Sequence, residues 1–158
     1  MKQKAACFGL ILSLCMPLLA LGQKLKQFDQ RVTQLSSNLE RAIKGKEKSW
    51  TLEKNEFYDK SNLQNWRSGK QQVELQVFVY DSEAEASRML VSHGARSVSY
   101  SQELKGFGGD EARYIDYPYF TWVGVRRGTV VMVAQGPAKD LAVTKRFVRH
   151  ALNEVEKK

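Results

Sequence analysis

Three carboxylates that lie close to aromatic side chains are the residues whose types could do hydrolytic chemistry. Asp110 and Glu111 are adjacent, and Asp116 follows five residues after Glu111. Tyr and Trp residues share this stretch, namely Tyr114, Tyr117, Tyr119 and Trp122. Paired carboxylates beside aromatic rings can hydrolyse glycosidic bonds. The alternative is structural, since Gly-Gly-Asp-Glu is an ordinary turn sequence and aromatic residues fill a core or its rim. A hydrolase is the less favoured of these two hypotheses.

The other residue types that commonly carry chemistry are sparse in the sequence. The two histidines, His93 and His150, have no second His or Cys at the spacing of a metal site. No serine lies in a Gly-x-Ser-x-Gly motif. The Gly-rich segment 106–109 precedes a predicted strand and has no following Lys-Ser/Thr pair, so it does not match a phosphate-binding loop. We therefore expect no catalytic residue, no bound metal and no cofactor.

Four basic residues form a candidate anion-binding patch. Arg126 and Arg127 lie at a predicted hairpin turn, and Lys145 and Arg149 are four residues apart on a predicted helix, so the latter two share a face. The alternative is an ordinary solvated face. Nucleic-acid binding is not expected, because aromatic and basic residues lie mostly in different segments. The candidate binding residues are Arg126, Arg127, Lys145, Arg149, Asp110, Glu111 and Trp122.

The N-terminus has the pattern of a secretory signal peptide. Lys2 and Lys4 form a positive region before the apolar stretch Ala5–Leu14, and Ala20-Leu21-Gly22 places small residues at a cleavage site. We expect residues 1–22 to be removed after Gly22, which leaves residues 23–158 as one domain. The alternative is an uncleaved N-terminal membrane anchor.

The positions of the cysteines indicate the cellular compartment of the protein, and its net charge indicates which classes of partner it could bind. Cys7 and Cys15 both lie within the predicted signal peptide, so the mature chain would have no disulfide and no thiolate. A disulfide-free exported domain is typical of a bacterial periplasm or cell surface. The formal net charge is +8, and without Lys2 and Lys4 the mature chain carries +6. This charge either keeps the protein soluble or attracts anionic lipids, cell-wall polymers or nucleic acid.

The first predicted helix, over residues 24–44, carries a narrow apolar seam. Its members follow alternating steps of three and four residues, namely Leu25, Phe28, Val32, Leu35, Leu39 and Ala42. One hypothesis is an interface for a protein partner or a second copy. The favoured alternative is docking on the protein's own sheet, because three heptads are short for an autonomous coiled coil. Two further helices are predicted over residues 81–93 and 138–156.

The predicted strands cluster in the second half of the chain. The clearest alternation of apolar and polar residues is in Gln71–Tyr80. The other predicted strands are Trp50–Tyr58, Ala112–Tyr117, Tyr119–Arg126 and Thr129–Gln135. The last two form a central hairpin closed by Arg127-Gly128 and covered on both faces, since neither face is strongly polar. Asp59–Lys70 is predicted as a polar loop or short helix, and Ala95–Lys105 as a loop or edge strand. We predict an α+β fold with a mostly antiparallel, twisted sheet of four to five strands and helices packed on it.

Two short motifs in the second half carry a resemblance to a known fold. A turn of Gly109-Asp110-Glu111-Ala112 precedes a hairpin that closes on Arg126-Arg127-Gly128, followed by a valine-rich strand and an amphipathic helix. This arrangement, over Gln71–Val155, resembles uncharacterised bacterial exported domains similar to the PsbP-like fold. The resemblance implies a non-catalytic accessory or binding module at the periplasmic or outer surface, and it transfers no catalytic residue.

Overall fold

The structure, a computed structural model, describes residues 28–94 and 101–157. These residues form three helices and seven strands. The helices are α1 (Gln30–Lys46), α2 (Glu83–Gly94) and α3 (Leu141–Glu156). The strands are β1 (Thr51–Tyr58), β2 (Ser61–Ser68), β3 (Gln71–Val79), β4 (Gln102–Glu103), β5 (Glu111–Asp116), β6 (Thr121–Arg127) and β7 (Val130–Gly136). None of the helices in these two ranges is both long enough and apolar enough to cross a membrane.

All seven strands belong to one antiparallel sheet with the order β1-β2-β3-β7-β6-β5-β4. The predicted α+β class with an antiparallel sheet is confirmed, although the sheet has seven strands instead of four to five. The β6–β7 turn consists of Gly128 and Thr129, one residue later than predicted. Gly128 has a φ of 57°, which glycine adopts without steric cost at the first position of a tight hairpin turn.

Strand β2 corrects the prediction of a loop or short helix over Asp59–Lys70. Asn62, Gln64 and Trp66 alternate on its buried face, so two of the three inward side chains are polar. Gln64 is completely buried, donates to the backbone oxygen of Ser36 at 3.1 Å and accepts from Trp66 Nε1 at 3.1 Å. Asn62 Nδ2 donates to Asn55 and Glu56 of the neighbouring strand, and Gln64 is paired with Ser36, a partner distant in sequence. Because two of the inward positions are polar, the strand lacks the apolar alternation by which strands are recognised.

The helices cover the two faces of the sheet unequally. Helices α1 and α3 lie on one face, where Leu39, Val77 and Phe147 belong to the larger core cluster. Helix α2 lies on the other face, where Leu90 and Trp122 belong to a second cluster. Strands β6 and β7 contribute to both clusters, which confirms the prediction of a hairpin covered on both sides.

The helix ends differ from the predicted ends for local reasons. Helix α1 begins after Asp29, whose carboxylate accepts from Arg31 N at 2.8 Å, and it continues through Gly45, the predicted stop. Residues 24–27 of the predicted helix, and 95–100 of the predicted loop, lie outside the described residues. Helix α3 begins at Leu141 instead of Ala138, because Lys139 has a φ of 61° and the carboxylate of Asp140 caps the helix.

Candidate functional site

Asp110 joins two turns that are distant in sequence. Its Oδ2 atom accepts from the backbone N–H of Gly128 at 2.7 Å and from Arg126 Nη1 at 3.1 Å, and its Oδ1 atom accepts from Arg127 Nη1 at 3.0 Å. The backbone N–H of Asp110 in turn donates to the carbonyl oxygen of Arg126. The hydrogen bond from Gly128 outweighs partial burial and, with the two arginines, lowers the pKa of Asp110. We call Asp110, Glu111, Arg126, Arg127 and Gly128 the hairpin clamp.

Glu111 and Arg126 complete the hairpin clamp on the face of the sheet that carries α2. Glu111 Oε1 accepts from Arg126 Nε at 2.8 Å and from the hydroxyl of Ser87 on α2, also at 2.8 Å. Arg126 also lies 3.7 Å from Glu83 of α2. The side chain of Arg126 is mostly buried, and the carboxylates of Asp110, Glu111 and Glu83 surround its guanidinium group. This arrangement fastens α2 to the sheet and satisfies the charge of Arg126 within the fold.

The third predicted carboxylate, Asp116, lies away from the other two. It ends β5 whereas Glu111 begins it, so the two are about 17 Å apart along the strand. Their odd difference in position also places them on opposite faces of the sheet. Carboxylate pairs that hydrolyse glycosides are about 5–9.5 Å apart. The structure therefore brings Asp110 and Glu111 together with the arginines, but not with Asp116.

The four predicted basic residues lie on both sides of the sheet and do not form one patch. Arg126 faces α2. Arg127 lies 3.8 Å from Glu156 of α3, and Lys145 and Arg149 belong to α3, over the other face of the sheet. Lys145 Nζ lies 5.3 Å from the ring centre of Tyr114, and the guanidinium carbon of Arg149 lies 4.1 Å from that of Phe107. Each cation therefore has an aromatic partner in its own chain.

Trp122 and His93 both contribute to the packing under α2. Trp122 is buried in the same cluster as Leu90, so its ring is not presented to a partner. His93 stacks on Phe78 with ring centres 4.1 Å apart, and its Nε2 atom lies 3.0 Å from the hydroxyl of Tyr80. Burial lowers the pKa of His93, and burial followed by the charge of Glu85 raises the pKa of Tyr80 to about 12.

His150 connects α3 to the end of α1. Its Nε2 atom lies 2.9 Å from Glu47 Oε1, which also accepts from Arg146 Nε at 2.8 Å. Burial opposes ionisation of Glu47, but the hydrogen bonds from His150 and Arg146 outweigh it and lower the pKa of this carboxyl. Within residues 28–94 and 101–157, no group of three or more His, Cys, Asp or Glu side chains is arranged so that it could hold a metal ion.

A cleft of about 260 Å³ lies between α1 and α3, above one end of the sheet. We call it the α1–α3 cleft. Four segments contribute its ten lining residues, namely Arg31, Gln34, Leu35, Asn38, Val79, Thr129, Val130, Glu154, Val155 and Lys157. The sequence did not predict the cleft, because its lining residues come from segments that are distant from one another in the chain. The only signal was Leu35, a member of the apolar seam of the first helix.

The walls of the α1–α3 cleft combine paired charges with free polar groups. Arg31 pairs with Asp29, N to O 2.6 Å, and lies 3.7 Å from Asp81, while Lys157 pairs with Glu154. By contrast, the side chains of Gln34, Asn38 and Thr129 form no hydrogen bond with any other part of the chain that the structure describes. The cleft therefore offers two carboxamides and one hydroxyl to a ligand, beside a floor of Leu35, Val79, Val130 and Val155.

Comparison with protein-family models, with curated proteins and with solved structures finds no match for this chain. The resemblance to the PsbP-like fold therefore stays a prediction from the sequence.

Proposed function

We propose that the protein is an exported, non-catalytic binding domain whose ligand site is the α1–α3 cleft. One observation carries the proposal, namely three unpartnered polar side chains placed beside an apolar floor in a concave site. Ligand sites in proteins are commonly concave and mainly apolar, with a few polar groups that orient the ligand. Export is supported by the signal-peptide pattern of residues 1–22, and an accessory or binding role is what the PsbP-like resemblance implies.

The proposal can be tested by nuclear magnetic resonance titration of the protein purified from an export-competent bacterial host. Three probes of different chemistry would be added separately: N-acetyl-Ala-Val-Ala-methylamide, hexanoate and hexyl glucoside. We expect at least one probe to shift the amide signals of residues in α1, α3 and the start of β7 that line the cleft. If no probe shifts these signals, the cleft is not a ligand site and the proposal fails.

A cleft-filling substitution provides the matched control for this titration. Val155 lines the cleft, whereas Ala142 is an exposed residue of the same helix outside it. Val155→Trp should abolish the probe-dependent shifts and Ala142→Trp should retain them, with both variants keeping the dispersed spectrum of a folded protein. Equal shifts in both variants would place the binding elsewhere and contradict the proposal.

A further inference from the structure

The two free carboxamides of the α1–α3 cleft have the spacing of groups in an extended polypeptide. Gln34 and Asn38 are four residues apart on α1 and so lie on one face of the helix, about 6 Å apart along its axis. Alternate residues of an extended chain are about 6.6 Å apart and present their N–H and C=O groups to the same side. A carboxamide has both a donor and an acceptor, so each one can pair with one residue of such a chain.

The paired charges of the cleft favour an uncharged ligand. Arg31 is engaged by Asp29 and Asp81, and Lys157 by Glu154, so a phosphate or carboxylate would have to displace an existing partner. A buried or half-buried charge without its own counter-charge would be costly to place on the valine floor. The cleft therefore differs from the basic surface that the net charge of the chain suggests.

The lining of the cleft limits the ligand further. A simple alkyl chain would cover Gln34 and Asn38 without satisfying their hydrogen-bonding groups, which is unfavourable. None of the ten lining residues is aromatic, so no ring is present on which a sugar could stack.

We propose that the α1–α3 cleft binds a short, uncharged segment of extended polypeptide with small aliphatic side chains. The inference rests on the proposed function and adds the class of ligand. Gln34 and Asn38 hydrogen-bond to peptide groups of the segment, and its aliphatic side chains lie on Val79, Val130 and Val155. The spacing of the two carboxamides corresponds to roughly three residues of bound chain.

The experiment compares N-acetyl-Ala-Val-Ala-methylamide with the depsipeptide in which an ester oxygen replaces the N–H of the third residue, one of the two alternate residues that face Gln34 and Asn38. The two probes have nearly the same shape and differ in one hydrogen-bond donor. We expect the amide probe to bind between about twofold and tenfold more tightly in the titration described above. We also expect its dissociation constant to be the same at low and high sodium chloride concentration, since no ion pair forms.

Substitutions on α1 locate the hydrogen bonds. Gln34→Ala and Asn38→Ala should each weaken binding of the amide probe, and at least one of them should make the amide and ester probes bind equally. Gln30→Ala removes an exposed carboxamide outside the cleft and should change neither affinity. Equal binding of the two probes to the unsubstituted protein would overturn the inference.

The probes also separate the inference from the proposed function. Cleft binding of hexanoate or hexyl glucoside without binding of the tripeptide would overturn the peptide inference and leave the cleft as a ligand site. Absence of binding by all three probes at the cleft would overturn both. Tripeptide binding that is lost in Val155→Trp and reduced in Asn38→Ala would support both.

Discussion

At the scale of single residues, Asp110 accounts for both of the short motifs seen in the second half of the chain. Its carboxylate accepts hydrogen bonds from the backbone N–H of Gly128, the first residue of the β6–β7 turn, and from the side chains of Arg126 and Arg127. Gly109 is required next to it, because its φ is 76° and a Cβ atom there would lie 2.6 Å from Val125 and 2.7 Å from the carbonyl oxygen of Arg126. The Gly-Asp-Glu-Ala and Arg-Arg-Gly sequences therefore form one structural unit, the hairpin clamp.

Asp110→Asn should destabilise the protein at neutral pH by about 1–3 kcal/mol, because the charge-assisted hydrogen bonds from Arg126 and Arg127 are weakened. The lowered pKa of Asp110 means that its stabilisation is present above the ordinary value of 3.8 and is lost as the pH falls through the pKa of the folded state. Urea unfolding at neutral and acidic pH measures both effects, and the variant should lose less stability on acidification than the unsubstituted protein.

Asp116→Asn is the matched control, since Asp116 is an exposed carboxylate at the other end of β5. We expect it to change the free energy of unfolding by less than about 0.5 kcal/mol. Equal effects of the two substitutions would show that the hairpin clamp contributes nothing particular to stability.

At the scale of elements, some residues of the apolar seam of α1 pack in the core, and another lines the α1–α3 cleft. Val32 and Leu39 are buried against the rest of the fold, whereas Leu35 lines the α1–α3 cleft. Phe28 contacts Phe57 of β1, with ring centres 5.6 Å apart, and Leu25 lies outside the described residues. Burial of Val32 and Leu39 occupies the centre of the seam within the chain, which leaves little of it for a second helix.

Leu39→Ala should lower the free energy of unfolding by about 2–5 kcal/mol, because Leu39 is fully buried in the larger core cluster and the substitution leaves a cavity. Chemical denaturation measures this loss, and the exposed α1 residue Arg41 provides the control variant Arg41→Ala. Light scattering of the unsubstituted protein should give the mass of a monomer. A dimer that dissociates in Leu39→Ala without loss of stability would instead support the interface hypothesis.

At the scale of the whole molecule, the sheet places on opposite faces basic residues that the net charge suggests form one surface. The net charge of +8 suggests a basic surface, yet the sheet divides Arg126 from Lys145 and Arg149, and each has partners within the chain. Binding to anionic lipids or cell-wall polymers stays a prediction from the charge. The α1–α3 cleft, in contrast, depends on local shape and free hydrogen-bonding groups.

For the whole chain, we predict that the protein is exported and that its signal peptide is cleaved after Gly22. In a bacterial host, the exported protein should begin at Gln23, which intact-mass spectrometry would show. Ala20→Arg places a large charged side chain in the predicted cleavage site and should leave the precursor uncut. Recovery of the unsubstituted protein at the mass of all 158 residues from the membrane fraction would favour the N-terminal anchor.

The sequence alone was sufficient for the features that depend on neighbouring residues. Alternation predicted β3, two runs rich in Val, Thr and aromatic residues around a glycine predicted the β6–β7 hairpin, and helical spacing predicted α1 and α3. Together they indicated an antiparallel α+β fold. Turn chemistry placed a break at Arg127-Gly128, one residue from the observed turn. These signals are readable because hydrophobic periodicity and backbone preference act over a few residues.

Only the tertiary structure decided the features that depend on distant partners. Strand β2 was not predicted, because Gln64 becomes a core residue through a hydrogen bond to Ser36, 28 positions away. Glu47 and His150 are 103 positions apart and form a pair that no spacing rule describes. The α1–α3 cleft likewise combines four segments. Which residues are buried, and which distant polar residues form hydrogen bonds, depends on the three-dimensional fold, so patterns of neighbouring residues cannot predict them.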